Sequence, residues 1–575
     1  MESTNNVMNL YQTWLEKASA EDILAELKAV EGQDKEISDR FYRYLEFGTG
    51  GLRGVIGAGT NRMNVYTVSM AAQALADYLK NKDSDAAHSV AIGYDSRNKS
   101  TDFAKCAAAT LASNGIKVHI FPELEPTPVL SYAVRELHCS AGIVITASHN
   151  PAKYNGFKCY GSDGCQMTDG AAGEVYAFMQ KLDIFDDVKR GDFDELMAQG
   201  LIHWIDDSLV EKFLDAVEAC SINPGLCKDA GLKVVYTPLC GAGNKPVRAI
   251  LKRIGIDEVT VVPEQEKPDG NFPTCPFPNP EIRQAFECAL KLAETVQPDL
   301  LLATDPDSDR VGIAVKSAEG YTLMSGNEVG AMMLNYMLSC RKAQGNLPKN
   351  PVCVSTIVSS DLGTVIAEKY GCEMRRVLTG FKYIGEIIGQ LEAAGEKDRF
   401  IMGYEESYGY LCGTYARDKD AVVAAMMICE MAAYYKKQGK TLLEVMDEIY
   451  TEFGYYRNRL LNYEFFGQEG VEFMNSVMDQ MRHNPPAEIA GDKVLTVSDY
   501  YLSVRKNMTD GTESEIKLPK SNVLAYKLEN GGSFIVRPSG TEPKIKVYTA
   551  AVGSIESAEA KLDEFEKDAN AIMGK

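Results

Sequence analysis

The chain has 575 residues and a net charge of -21, from 81 acidic and 60 basic side chains. That length exceeds what one hydrophobic core organises, so about three to five domains are expected. The acidic balance argues against nucleic acid or an anionic membrane as partner, and no apolar run approaches the ~20 residues that would span a bilayer. The first residues hold no basic segment leading into an apolar one, so no secretory signal is expected. Fourteen cysteines are scattered, none in a C-x-x-C pair, which fits reduced thiols in a cytoplasmic protein better than disulfides or zinc.

In chain order, the first ~45 residues read as helices, with Ile23, Leu24 and Leu27 at helical spacing. They are expected to cap the first domain. Residues 47–64, FGTGGLRGVIGAGTNRMN, fail the dinucleotide pattern at its third glycine and lack the G-K-[ST] of a nucleotide loop. What is left is a flexible loop presenting Arg53. Helices at 69–80 and 101–113 then alternate with strands at 90–94 and 118–121, and a helix opening at Pro126 precedes a β-branched run, 141–145. Weakly apolar, acidic sequence at 185–207 leads out of this first domain.

A second alternation follows. Strands are expected at 233–238, 259–262 and 300–304, helices at 244–254 and 282–296, and an irregular Pro-rich loop at 263–281. A third runs from 325 to about 453, with strands at 352–357, 373–377 and 400–404 between helices. Three β-α blocks of similar size read as a diverged internal repeat. The last ~120 residues differ: strands at 523–528, 533–536 and 545–549 precede one long helix at 555–573, an α+β pattern. The expected domains are 1–206, 207–324, 325–454 and 455–575.

Four loops carry chemistry. The buried run 141–145 empties into Thr146-Ala147-Ser148-His149-Asn150-Pro151, where side chains can reach a ligand, and a second apolar segment carries Lys158 back beside it. A hydroxyl, an imidazole and an ammonium suit a serine that accepts and releases a phosphoryl group. A Ser-His pair alone is more often turn chemistry. Asp305, Asp307 and Asp309 alternate just past a strand end, so their side chains share one side and repel one another unless a cation neutralises them; oxygen donors favour Mg²⁺ or Ca²⁺, and the rival, a solvated acidic turn, fits the flanking apolar runs less well. A calcium EF-hand is excluded, because Arg310 and Lys316 stand where it needs glycine and glutamate. Glu405 and Ser407 follow another buried strand and suit sugar hydroxyls. Arg537-Pro538-Ser539-Gly540-Thr541 offers a guanidinium fork and a nest of amides to a phosphate. Of six histidines only His149 lies in a motif.

Together these strings resemble the α-D-phosphohexomutases, the family of phosphoglucomutase and phosphomannomutase, in its long, phosphoglucomutase-like bacterial form. T-A-S-H-N-P-x-x-Y-N-G-x-K at 146–158 resembles its phosphoserine loop, G-L-R-G at 51–54 its N-terminal active-site arginine, D-P-D-x-D-R at 305–310 its metal loop, G-x-E-x-S at 403–407 its sugar loop and R-P-S-G-T-E-P at 537–543 its phosphate loop. Thr379-Gly380-Phe381-Lys382 resembles a further substrate-contacting loop. The resemblance implies an α/β protein of four domains, three related α/β sheets and a C-terminal α+β domain, around a central cleft. It implies Ser148, His149, Lys158 and Arg53 as catalytic residues and Mg²⁺ held by Ser148, Asp305, Asp307 and Asp309. Substrate would meet Arg310, Thr379, Gly380, Lys382, Glu405, Ser407, Arg537, Ser539, Gly540, Thr541 and Lys544.

The expected reaction interconverts glucose 1-phosphate and glucose 6-phosphate, with glucose 1,6-bisphosphate as intermediate and activator. Partners would be small sugar phosphates, with the chain a monomer or weak homodimer. His149 and Lys158 are the acid/base candidates; lysine serves as a base only if its pKa is depressed. Whether Lys382 shares proton transfer is open. Rival readings are a phosphopentomutase, a phosphomannomutase, a sugar-bisphosphate synthase, a phosphatase and a non-catalytic sugar-phosphate sensor.

Overall fold

The structure is a computed structural model that describes every residue except 1, 49, 85, 466 and 540–543, and the side chains of 2–5, 467 and 468 are likewise outside the description. It forms two compact units, Met1–Gly326 with Phe381–Thr441, and Asn327–Gly380 with Leu442–Lys575.

The first unit opens with three helices, Glu2–Lys17, Glu21–Ala29 and Asp34–Phe41. They cap the domain behind them through Trp14, whose ring meets Phe41, Tyr66 and Phe185 edge-on. The sheet they cover contains β1 (Gly51–Val55), β2 (Ser89–Tyr94), β3 (Lys117–Ile120), β4 (Ala141–Ile145), β5 (Tyr154–Gly161) and β6 (Ile202–Trp204), in the order β1-β5-β4-β2-β3-β6. β4, β2, β3 and β6 run parallel, while β5 and β1 add antiparallel at one edge. Every residue of β4 is buried, as a continuous apolar run between helical layers requires. One of those layers is alanine-rich: helices Val65–Lys82 and Ser100–Ser113 bury Ala71, Ala72, Ala104, Ala107 and Ala108.

Two segments depart from expectation here. The glycine-rich 47–64 is not simply a flexible loop, because β1 lies within it. Its alternation buries Leu52 and Gly54 and turns Arg53 outward, and a Cβ on Gly51 would stand 2.1 Å from the Phe157 carbonyl oxygen. Only glycine permits that approach. The segment 185–207 likewise does more than lead out, since β6 pairs with β3.

The second sheet repeats the plan with β7 (Val234–Thr237), β8 (Val259–Val261), β9 (Leu300–Thr304), β10 (Val311–Ser317) and β11 (Gly320–Met324), in the order β11-β10-β9-β7-β8. β9, β7 and β8 are parallel, and β10 returns antiparallel on β9. Thus β5-β4-β2-β3 and β10-β9-β7-β8 have one topology, and the Ser148 loop and the Asp305 loop join equivalent strands. The Pro-rich segment 263–281 is irregular after one short helix, Pro263–Glu266. The rest of this unit contains strand Phe400–Tyr404, which pairs antiparallel with Tyr410–Leu411, and the buried helix Ala421–Lys436.

In the second unit, Val352–Thr356 and Glu373–Val377 pair in parallel. The C-terminal part is an antiparallel sheet with helices Gly467–His483 and Ile555–Ile572 over one core. Its longest ladder, Tyr455–Glu464 on Lys544–Gly553, begins with a strand absent from the sequence reading, because YYRNRLLNYE leaves only Tyr463 buried and so lacks a clear apolar alternation. Strands Asp492–Asp499, Val504–Asn507 and Glu513–Glu515 were likewise not legible. The α+β character holds. Among the described residues no helix is long and apolar enough to cross a membrane.

Candidate active site

β4 delivers Thr146, and the chain then turns sharply. Ser148 has φ +53°, in the left-handed region. Thr146 Oγ1 accepts the Ser148 amide at 2.8 Å. The buried Ser148 hydroxyl donates to Asp305 Oδ2 at 2.8 Å and lies 3.2 Å from His149 Nδ1. β5, paired with β4, carries Lys158 back to the same place, where its ammonium lies 2.9 Å from Asp307 Oδ2 and 3.6 Å from Asp309 Oδ2. The expectation that a second apolar segment returns beside the first is met.

The carboxylates of Asp305, Asp307 and Asp309 are buried, with one oxygen of each within 4.8 Å of the others. Asp305 Oδ1 accepts the amides of Asp309 and Arg310 at 3.0 and 2.9 Å, which curls the loop around it. Asp307 Oδ2 also accepts the Thr127 hydroxyl at 3.0 Å. Burial and the two neighbouring carboxylates push Asp305 well above the usual carboxylate range. Burial works the same way on Asp307, but the Lys158 ammonium outweighs it and holds that carboxyl low. Asp307 Oδ1 and Asp309 Oδ1 are buried without a hydrogen-bond partner among the described residues. Carboxylate oxygens left without a hydrogen bond and converging in a buried site fit a hard divalent cation.

The segment after Tyr404 docks on this loop. The Val311 amide donates to the Tyr408 carbonyl at 3.1 Å, and Arg310 bridges to Gly409. Glu405 is buried and its charge helps raise the pKa of Arg310 and Lys419; Ser407 is half-buried beside it. Arg310 also pairs with Glu281. Lys419 was missed by sequence reasoning. Its ammonium lies 3.1 Å from Asp309 Oδ2 and 3.2 Å from Asp418 Oδ1, mirroring Lys158 across the triad. The available signal was Arg417-Asp418-Lys419-Asp420, four charges in a row between apolar stretches, and the structure buries Arg417, Asp418 and Asp420 outright.

Burial, and then Arg310 and Arg53, hold His149 well below the ordinary imidazole value, so it is neutral. Lys158 goes the other way. Burial opposes its charge, but Asp307 and Asp309 prevail and its pKa is raised. The two carboxylates thus favour the charged ammonium, the opposite of the depressed pKa that a lysine base needs. Lys382 is buried, but its ammonium lies 2.6 Å from Asp169 Oδ1 rather than on the triad. Arg53 is exposed on edge strand β1, near enough for its charge to act on His149. Thr379, Gly380, Arg537, Ser539 and Lys544 belong to the second unit; Gly540 and Thr541 lie outside the described residues.

The structure thus bonds a serine to one of three clustered carboxylates, at matching positions of two repeated α/β sheets, and sequence comparison names the class of protein. Four domains of the phosphoglucomutase/phosphomannomutase family match: alpha/beta/alpha domain I over residues 44–184, domain II over 211–320, domain III over 325–453 and the C-terminal domain over 501–567. A phosphoglucomutase of Staphylococcus haemolyticus is 38% identical over 510 residues, 88% of this chain and 90% of that protein. One of Staphylococcus aureus is 37% identical over 546 residues, 94% and 95% of the two chains. Among crystal structures, the open form of the Paramecium phosphoglucomutase parafusin superposes with a TM-score of 0.67 at 18% identity, covering 93% of this chain and 97% of that one. A family protein of Burkholderia thailandensis gives 0.66 at 16% identity, covering 92% and 97%. The chain belongs to the phosphoglucomutase/phosphomannomutase family. It is an enzyme of the phosphohexomutase kind, an isomerase-type phosphotransferase with the family's four-domain α/β architecture.

Proposed function

We propose that this enzyme interconverts glucose 1-phosphate and glucose 6-phosphate through phosphorylated Ser148 and glucose 1,6-bisphosphate. The observation that carries the reading is the 2.8 Å bond from Ser148 Oγ to Asp305 of a buried three-carboxylate cluster. The relatives named phosphoglucomutase, at 37–38% identity, support glucose as the sugar.

Ser148, Asp305, Asp307 and Asp309 would hold Mg²⁺, which when bound offsets negative charge on the transferring phosphoryl oxygens. The chain's own residues do the rest. Phosphorylated Ser148 gives its phosphoryl group to a sugar hydroxyl; the bond from Ser148 Oγ to phosphorus breaks as the bond to the sugar oxygen forms, and the sugar hydroxyl gives up a proton as Ser148 Oγ gains one. After the bisphosphate turns end for end, Ser148 Oγ attacks the other phosphoryl group and regains it. Neutral His149, with Nδ1 3.2 Å from Ser148 Oγ, is suited to exchange the serine proton. Lys158 and Lys419, both cations, steady the charge that builds on the phosphoryl oxygens. Arg53 and Arg310 add positive charge, and Glu405, Ser407 and Lys382 read the sugar hydroxyls. Arg537, Ser539, Gly540, Thr541 and Lys544 hold the phosphate that is not being transferred.

The substrate is then a small sugar phosphate, and fourteen scattered cysteines without a C-x-x-C pair fit a reducing, cytoplasmic setting. The test is turnover of glucose 1-phosphate with Mg²⁺ and a trace of the 1,6-bisphosphate. Fast conversion to glucose 6-phosphate is expected. Conversion of ribose 1-phosphate alone would overturn glucose as substrate, and release of free phosphate as the main product would overturn the mutase.

A further inference from the structure

The strand-end motif Asp95-Ser96-Arg97 takes no part in the chemistry above, yet it lies directly under the Ser148 loop. Arg97 is 3% exposed. One of its terminal nitrogens donates to the carbonyls of Ser148 and Asn150, and the other donates to those of Pro151 and Tyr154 at 3.0 and 3.1 Å. Four carbonyls along the loop, from the serine to the first residue of β5, thus turn inward to a single guanidinium. The same group stacks 5.1 Å over the Phe272 ring, contributed by the Pro-rich segment of the second domain.

Asp95 closes the arrangement from behind. Its Oδ1 accepts the Arg97 amide at 3.0 Å and the Ser100 hydroxyl at 2.8 Å, and its Oδ2 accepts the Thr146 hydroxyl at 2.6 Å. Thr146 in turn accepts the Ser148 amide. Both backbone polar groups of Ser148 are therefore held, the N–H through Thr146 and the carbonyl by Arg97. This matters because Ser148 sits at φ +53°, a conformation that residues other than glycine adopt rarely. The reaction needs the hydroxyl, so glycine cannot stand there, and the conformation must be imposed from outside.

We propose that Arg97 is the positioning residue of this enzyme: by binding the four loop carbonyls it holds Ser148 in the left-handed conformation that aims Oγ at Asp305. A lysine cannot replace it, since an ammonium has three N–H groups and no plane, whereas the guanidinium has five in a fixed fork. The inference rests on Ser148 being the phosphoryl carrier.

The experiment compares the full-length native protein with Arg97→Lys, reading kcat and KM for glucose 1-phosphate and amide hydrogen exchange along the chain. The expected result is a kcat lower by roughly 100-fold, as misplacement of a reacting atom by about 1 Å produces. KM should stay within about threefold, as for an interaction that acts on the transition state, and faster exchange should be confined to 146–154. A kcat within about twofold of native, or faster exchange throughout the first domain, would overturn the proposal, the latter because Arg97 would then be only a fold residue. If Arg97→Lys does not fold, Phe272→Leu keeps every hydrogen bond of the clamp and removes only the ring beneath it. It should lower kcat by about threefold to thirtyfold, the span from a partly solvated to a desolvated cation–π contact, with the same confined exchange; unchanged kcat and exchange would overturn the clamp. A native protein inactive on glucose 1-phosphate would fail the proposed function instead, while the exchange of 146–154 would still report on Arg97.

Discussion

Ser148 Oγ and Asp305 Oδ2 are 2.8 Å apart, joining two loops that occupy the same place in two successive sheets. A duplicated β-α plan thus brings its two C-terminal strand ends together, one supplying a hydroxyl and the other a carboxylate that accepts from it. Ser148→Ala removes the only atom that can carry the phosphoryl group in this reading. Loss of the nucleophile should lower kcat by on the order of 10⁴ or more, with an unchanged circular dichroism spectrum. Residual mutase activity near the native level would sink the phosphoserine mechanism.

Asp307 Oδ1 and Asp309 Oδ1 are orphaned acceptors. Chelation should therefore abolish turnover and Mg²⁺ restore it. Because a ligand that binds only the folded state stabilises it, Mg²⁺ at 100 times its dissociation constant should raise stability by about 2.7 kcal/mol. Asp307→Asn should lose that gain in a thermal melt. A variant that keeps it would place the cation elsewhere.

Lys158 and Lys419 face the triad from two domains, 2.9 Å from Asp307 and 3.1 Å from Asp309. Either replaced by Met should lower kcat by roughly 10²–10³, the worth of a preorganised donor to developing charge. Each change also strands a buried carboxylate, so urea unfolding of the metal-free protein should show a loss of about 3 kcal/mol. Full stability with lost activity would mean that the pairs contribute nothing to folding.

Asp420 starts helix Ala421–Lys436, accepts the amides of Val422 and Val423, and is fully buried. Burial outweighs those bonds and raises its pKa to about 6. The folded state then binds the proton more tightly than the unfolded state, whose carboxyl titrates near 3.9. Stability should fall as pH rises from about 4 to about 6, by up to about 3 kcal/mol for this group alone. Asp420→Asn keeps the cap and removes the titration. The difference in stability between native and variant should vary with pH in that window and be flat above it; no variation would show that the cap and the Tyr415 hydroxyl, which also bonds Asp420, hold it ionised.

What the sequence determined by itself was local. The largely apolar runs 141–145 and 300–304 are strands to the residue, because a strand buried on both faces is largely apolar along its length, and that is visible in a window of five. The motif loops at their ends, with Ser148, Asp305, Asp307 and Asp309, stood out through whole strings that resemble a family, since a Ser-His pair by itself is more often turn chemistry. The exposed or half-exposed strands of the C-terminal sheet were not, since they lack a clear apolar alternation, and the strand 455–464 also pairs far along the chain, Leu461 with Val547. Tertiary structure alone decided the rest. It assigned Lys382 to Asp169, set Lys419 opposite Lys158, and raised rather than depressed the pKa of Lys158. Each depends on which charges burial gathers within a few ångströms, a property of how the domains meet and not of any run of neighbouring residues.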